Sequence, residues 1–255
     1  MEINYTNIIL ISLIFVIICC VLIIIYGYNS GSCKINKKYI CEKNFCLYKT
    51  FKIMLNDVLK KEINILVLNK EIQKRVNIDF YPEKILNCAI PNKKGITIST
   101  QHIVKYCPEL INYYQNELCK IISENINLKL YPTDLELPTT CAILIYENEG
   151  DWINWHYDYN YYNGRFFTVL IPITNELTCT EFQLMDDSGK ITGIQLIDNN
   201  CICFEGNFLY HRASKLCNGQ KRILLSCQFV TDNHINMINK FRLKLKDFAY
   251  TGKLF

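Results

Sequence analysis

The spacing of apolar residues divides the chain into a helical part and a β-rich part. Over 51–76 the apolar residues recur at helical intervals with Lys and Glu between them, and 109–127 repeats this pattern. From Pro138 onward, short apolar runs separated by turn residues predict strands at 141–146, 166–173, 180–185, 192–197, 200–204 and 222–230. The sequence therefore predicts a mainly β fold, a sandwich or jelly roll, buttressed by N-terminal helices.

An uncharged stretch at 8–26 predicts a membrane anchor. Its 19 residues span roughly 28 Å at about 1.5 Å each, close to the thickness of the hydrocarbon core. A cleaved signal peptide is the alternative, but no basic region precedes the stretch and no small-residue cleavage site follows it. We therefore predict a single-pass membrane protein with an anchor region 1–29, a helical or mixed region 30–137, a jelly-roll core 138–232 and a C-terminal extension 233–255.

The sequence leaves the side of the membrane open. Six lysines between positions 34 and 52 follow the uncharged stretch and favour a cytoplasmic main domain. The 14 cysteines, three of them at 33, 41 and 46, are compatible with disulfides and a lumenal location. A net charge of +4 is too balanced to indicate a nucleic-acid partner.

Two of the four histidines lie in a pattern that predicts a metal site. His156 and Asp158 are two positions apart in an extended segment, so their side chains project to the same face. Such a pair is also common on protein surfaces. With His211, however, it provides the two imidazoles and one carboxylate that hold non-haem Fe(II) and leave coordination positions open.

Arg222 is the candidate partner for a carboxylate ligand. The Asn218-Gly219 pair predicts a hairpin turn, and a hairpin centred there places His211 opposite Ser226. Arg222 then lies on the same face as His211, about 13 Å away along the strand. Its planar guanidinium can bind a carboxylate through two hydrogen bonds. A longer loop would shift this register.

The combined pattern His156-x-Asp158…His211-x₁₀-Arg222 resembles the Fe(II)/2-oxoglutarate-dependent dioxygenases, and within them the prolyl 4-hydroxylase-like group. Three further features match that group: a tyrosine ten residues before the first histidine, a Gly-Arg pair after the His-x-Asp segment and a Phe-x-Gly before the distal histidine. Here these are Tyr146, Gly164-Arg165 and Phe204-Glu205-Gly206. The resemblance covers roughly residues 138–232 and implies a double-stranded β-helix.

The resemblance also implies the cofactors and the residues that bind them. Fe(II) would be held by His156, Asp158 and His211, with 2-oxoglutarate and O₂ as cosubstrates and ascorbate as a further cofactor. The far carboxylate of 2-oxoglutarate would pair with Arg222, helped by Tyr146 or Thr168. Substrate contacts are expected from Arg165 and Trp155.

The activity implied by the resemblance is hydroxylation of an organic substrate, with succinate and CO₂ as co-products. A protein or peptide side chain such as proline is the expected substrate, and no nucleic acid is expected as a partner. Halogenating relatives lack a carboxylate ligand, so Asp158 favours hydroxylation. Two alternatives stay open: a nucleic-acid demethylase of the same superfamily, for which the tyrosines of 157–162 could stack on bases, and a catalytically silent, membrane-tethered binding module.

Overall fold

An antiparallel β-sheet forms the centre of the molecule. The computed structural model describes residues 10–19, 48–79, 91–176, 180–186, 188–197, 199–241 and 243. Within them the sheet has twelve strands: β1 Tyr48–Lys52, β2 Lys74–Ile78, β3 Lys93–Ile98, β4 Tyr131–Pro132, β5 Cys141–Tyr146, β6 Trp152–His156, β7 Phe166–Glu176, β8 Phe182–Met185, β9 Ile191–Ile194, β10 Asn200–Phe204, β11 Tyr210–Ala213 and β12 Lys221–Val230.

The sheet consists of a larger and a smaller half. Strands β1-β10-β7-β12-β5-β3 form the larger half, and β6-β11-β8-β9 form the smaller one. The halves are joined where Lys93 of β3 pairs with Ile153 of β6. Residues of both halves line a common cavity. This curled antiparallel sheet agrees with the jelly roll that the sequence predicts.

Alternation along the strands of the larger half gives it one face for packing and one for the cavity. Side chains such as Ile143, Val169 and Leu225 point to the helical side and belong to the main hydrophobic core. Their neighbours Leu144 and Leu224 line the cavity. Because successive residues of a strand point to opposite sides of the sheet, every second residue faces the core and the residues between them face the cavity.

The helices cover the outer face of the larger half. They are α1 Asp57–Leu68, a 3₁₀ turn Lys70–Ile72, α2 Thr100–Tyr106, α3 Pro108–Tyr113, a π-helical turn Tyr114–Leu118 and α4 Cys119–Ile126. Helix α1 begins at Asn56, whose side chain accepts a hydrogen bond from the Leu59 amide at 2.8 Å. Its buried face, Leu59, Ile63, Leu66 and Val67, has the helical spacing seen in the sequence.

The element predictions are largely confirmed, with one clear error. Helices α3 and α4 and the π-helical turn occupy the predicted 109–127 region, and the strands predicted at 141–146 and 200–204 have those bounds. The predicted helix 51–76 is wrong at both ends, because 48–52 and 74–78 are strands. In β2, Val76 is buried between exposed neighbours, which is the alternation of a strand rather than the spacing of a helix.

The predicted single-pass membrane protein requires correction. Of the stretch 8–26, the structure describes residues 10–19, which are helical. In the described ranges, no helix has the length and apolar character needed to cross a membrane. The rest of the stretch, and the lysines and cysteines at 33–46 used to argue its orientation, lie outside the described residues.

The hairpin that related His211 to Arg222 is also wrong. Gly219 does form a turn, with a left-handed φ of +74°. However, β11 pairs with β6 and β8, whereas β12 pairs with β4, β5 and β7. The turn therefore joins the two halves of the sheet, and His211 and Arg222 face each other across the cavity instead of along one hairpin.

Candidate functional site

His156, Asp158 and His211 converge at one point on the cavity wall. His156 and His211 are paired residues on adjacent strands β6 and β11, so their rings lie on the same face with centroids 4.2 Å apart. Asp158 follows β6, and its Oδ1 lies 3.6 Å from Nε2 of His156 and 3.8 Å from Nε2 of His211. The three side chains place one donor atom each within 4.8 Å of one another.

Both imidazoles are oriented by backbone carbonyls. Nδ1 of His156 lies 2.6 Å from the Asn154 carbonyl, and Nδ1 of His211 lies 2.8 Å from the Leu209 carbonyl. A carbonyl can only accept, so each Nδ1 donates, and in a neutral ring of this tautomer Nε2 keeps the lone pair. Burial, together with nearby His211, lowers the pKa of His156 well below its usual range. The imidazole is therefore neutral near pH 7, as a metal ligand must be.

Asp158 is held from two sides. Its amide donates to the Gly206 carbonyl at 2.9 Å, and the Thr168 hydroxyl donates to Oδ2 at 2.7 Å. This leaves Oδ1 directed toward the two imidazoles. Such hydrogen bonds orient a carboxylate ligand before a metal binds. Thr168, which the sequence predicts to contact 2-oxoglutarate, lines the cavity and makes this positioning contact to Asp158.

Removing the Thr168 hydroxyl should loosen the proposed metal site. We expect Thr168→Val, which keeps the shape of the side chain, to weaken Fe(II) binding about 10- to 100-fold, the usual effect of losing an outer hydrogen bond to a ligand. Thr168→Ser keeps the hydroxyl and serves as the control. Competition with a chelator gives both affinities, and equal affinities in Val and Ser variants would show that this hydrogen bond does not support the site.

Gly206 explains the Phe-x-Gly motif. A Cβ at this position would overlap the carboxylate and the Cβ of Asp158. The glycine is therefore required by close approach. We expect Gly206→Ala to displace Asp158 and to lose most bound Fe(II) with far-UV circular dichroism unchanged. A Gly206→Ala protein that keeps stoichiometric iron would show that Asp158 has another position from which to bind.

Arg222 provides a buried cation on the opposite wall. It is 2% exposed and is the partner of Tyr146 across β12 and β5, with its guanidinium carbon 4.2 Å from the centre of the Tyr146 ring. Within the described residues, its Nε and Nη2 have no hydrogen-bond partner. Burial lowers the pKa of Arg222, yet a guanidinium remains charged near neutral pH. The two nitrogens are thus available to a ligand.

The remaining predicted residues lie away from this arrangement. Arg165 donates from Nε and Nη2 to the two carboxylate oxygens of buried Glu205 at 2.8 and 2.6 Å. Trp155 stacks on Tyr210 at 5.4 Å, and Arg212 covers its ring at 4.6 Å. The structure places neither Arg165 nor Trp155 among the residues that line the cavity.

Lys93 is a buried, charged cavity residue that the sequence analysis did not anticipate. Lys93, in the Lys93-Lys94 pair that begins β3, is 6% exposed and lines the cavity. Two consecutive lysines are typical of a solvated turn. Only the alternation of β3, with Lys93, Gly95 and Thr97 on one face, could have indicated that the first of them points inward.

The fold is similar to that of solved oxygenases, although no protein-family model and no curated protein sequence match the chain. The epimerase SnoN from nogalamycin biosynthesis, described as non-heme and alpha-ketoglutarate-dependent, has 10% identity and a TM-score of 0.53 over 72% of this chain and 77% of that chain. A 2OG-Fe(II) oxygenase family oxidoreductase from Burkholderia pseudomallei has 10% identity and a TM-score of 0.53, over 75% and 88%.

A prolyl hydroxylase from Trichoplax adhaerens also matches, with 14% identity and a TM-score of 0.47 over 73% of this chain and 84% of that chain. Since one of the more similar folds is named an epimerase, the fold alone does not fix the reaction. The two similarities with a TM-score of 0.53 establish the predicted architecture: the chain has the fold of the Fe(II)- and 2-oxoglutarate-dependent oxygenases.

Proposed function

We propose that the chain is an Fe(II)- and 2-oxoglutarate-dependent dioxygenase that hydroxylates an organic substrate, releasing succinate and CO₂. One observation carries the proposal: a His-Asp-His donor set and a buried arginine with unpaired nitrogens line the same cavity. Buried polar groups are normally paired, and pairing among the described residues does not account for the two free nitrogens of Arg222.

His156, Asp158 and His211 are the proposed ligands of Fe(II). Two imidazole nitrogens and one carboxylate oxygen are a donor set that suits this ion and leaves positions open for other ligands. When bound, the iron activates O₂ with electrons from the cosubstrate. The protein supplies ligand orientation, through the carbonyl acceptors of both imidazoles and the Thr168 hydroxyl.

Arg222 is the proposed partner of the far carboxylate of 2-oxoglutarate. Its two unpaired nitrogens can form parallel, charge-assisted hydrogen bonds to the two carboxylate oxygens. Tyr146 fixes the guanidinium by stacking, and burial raises the pKa of Tyr146, which keeps its hydroxyl protonated as a donor. A site of this kind binds one end of the cosubstrate at the arginine and leaves the other end for the metal.

A peptide side chain, such as proline, remains the proposed substrate. The cavity has a volume of about 1070 Å³, at the upper end of ordinary small-molecule sites. Residues far from the donor set in sequence, such as Gln101 and Lys240, also line the cavity. This is more space than a five-carbon diacid needs, so a second, larger molecule can be held beside the cosubstrate.

Succinate production tests the proposal. Purified protein supplied with Fe(II), 2-oxoglutarate and O₂ should release succinate even without substrate, and ascorbate should increase the yield by keeping the iron reduced. Asp158→Ala, which removes one proposed ligand, is the matched negative control. Binding of 2-oxoglutarate without any succinate above the Asp158→Ala level would instead favour a catalytically silent binding module.

A further inference from the structure

Lys93 is a second buried cation in the cavity. Its side chain lines the cavity and is almost fully enclosed, and its ammonium donates to the Thr97 hydroxyl at 3.1 Å. Thr97 is neutral, and across the described ranges no carboxylate forms an ion pair with Lys93. Burial of this kind costs free energy unless an anion compensates it.

Lys93 belongs to the same wall as the proposed cosubstrate site. Lys93, Gly95 and Thr97 alternate onto one face of β3, and a Cβ added at Gly95 would lie 3.2 Å from the Tyr146 ring. The Arg222 guanidinium stacks on the same ring. On its other side, β3 joins β6, the strand that ends at His156. Lys93 therefore stands where the strand of the donor set and the Tyr146–Arg222 wall meet.

The charges in the cavity exceed what 2-oxoglutarate needs. In the proposed function, the Arg222 guanidinium binds the far carboxylate of 2-oxoglutarate. A metal at the donor set binds the other end of the molecule. A second buried cation is then left without a counter-charge. Desolvation lowers the pKa of Lys93 to about 8, so the amine is still mostly protonated near pH 7 and would gain from an anion.

We propose that Lys93 recognises a carboxylate group of the substrate, so that this site selects acidic molecules or peptides. The inference rests on the proposed function, because it assigns Arg222 to the cosubstrate. The carboxylate could belong to an acidic side chain or to a free carboxyl terminus, and both present the same chemistry to an ammonium.

Three size-matched probes distinguish these sources. N-acetylglutamic acid α-amide carries a side-chain carboxylate, N-acetylglutamine carries a terminal carboxylate, and N-acetylglutamine amide carries neither. Each is titrated into the anaerobic Fe(II)–2-oxoglutarate protein, and binding near the metal is read from the paramagnetic relaxation of its acetyl protons. We expect one of the acids to bind about tenfold or more tightly than the neutral amide.

Variants of Lys93 test whether this residue causes the preference for the acidic probes. Lys93→Met keeps the length of the side chain and should remove the preference for the acid, whereas Lys93→Arg should retain most of it. Lys93→Met should also fold normally, because it removes a buried amine that no carboxylate in the described ranges neutralises. Equal binding of acids and amide by the wild-type protein, including no binding of any probe, would overturn the proposal, as would a preference that survives in Lys93→Met.

The affinity for 2-oxoglutarate separates this proposal from the proposed function. Lys93→Met should change it by less than about threefold, within the usual effect of a residue that does not contact the ligand. If Lys93→Met weakens the binding of 2-oxoglutarate as much as Arg222→Ala does, Lys93 binds the cosubstrate and the substrate proposal is wrong. If the wild-type protein does not bind 2-oxoglutarate, the proposed function itself has failed.

Discussion

Substitution of His211 by alanine should abolish stoichiometric iron binding. Wild-type protein reconstituted with Fe(II) under anaerobic conditions and then desalted should hold about one iron per chain, whereas His211→Ala should retain almost none. The reason is that two remaining protein ligands hold a labile divalent ion poorly. Elemental analysis of the desalted proteins measures the difference directly.

His234→Ala is the matched control, because the His234 side chain is exposed on the surface and pairs with nearby Asp232. It should retain iron at the wild-type level. His211 also packs against Phe204 at 4.8 Å and Phe182 at 5.6 Å, so thermal unfolding of the iron-free proteins must accompany the measurement. A folded His211→Ala protein with full iron content would remove the residue from the metal site.

Substitution of Arg222 by alanine should weaken 2-oxoglutarate binding about 10- to 100-fold. A charge-assisted, two-point hydrogen bond in a buried site contributes roughly 1.5–3 kcal/mol, and 1.4 kcal/mol corresponds to a factor of ten. Iron content should not change, since Arg222 is not a proposed ligand. Arg222→Lys should lose less affinity, because the charge remains although the fork geometry is gone.

Arg212→Ala provides the control for general loss of positive charge. Arg212 lies over the Trp155 ring and donates to Gln183 at 2.7 Å, outside the lining of the cavity. Its removal should leave the affinity for 2-oxoglutarate unchanged. An unchanged affinity in Arg222→Ala would mean that the buried guanidinium serves another purpose and would remove the main support for this cosubstrate.

The central strands and the metal motif could be predicted because their signals are local. β5 and β10 are continuous apolar runs, and His156 and Asp158 are related by the two-residue period of extended chain. The apolar runs did not indicate the short strands β6 and β11, because residues such as His156 and His211 serve the site rather than the core. Their apolar pattern is weak for that reason.

Features that depend on pairing between strands far apart in the chain could not be predicted from the sequence. The Asn218-Gly219 turn was recognised, but a turn does not reveal whether its two strands pair with each other or separate into two halves of a sheet. His211 and Arg222 line one cavity, although the hairpin that was expected to relate them does not form. The same limit hid Lys93, since its burial results from β3 lying between β5 and β6.

The most direct test of the account is the visible absorption of the Fe(II) protein when 2-oxoglutarate is added without oxygen. Chelation of the metal by the cosubstrate produces a metal-to-ligand charge-transfer band. We predict a band that saturates at about one 2-oxoglutarate per bound iron, is absent in His211→Ala and requires about 10- to 100-fold more 2-oxoglutarate in Arg222→Ala. A wild-type protein that holds iron but develops no band at any concentration would contradict the assignment of this cavity as an Fe(II)/2-oxoglutarate site.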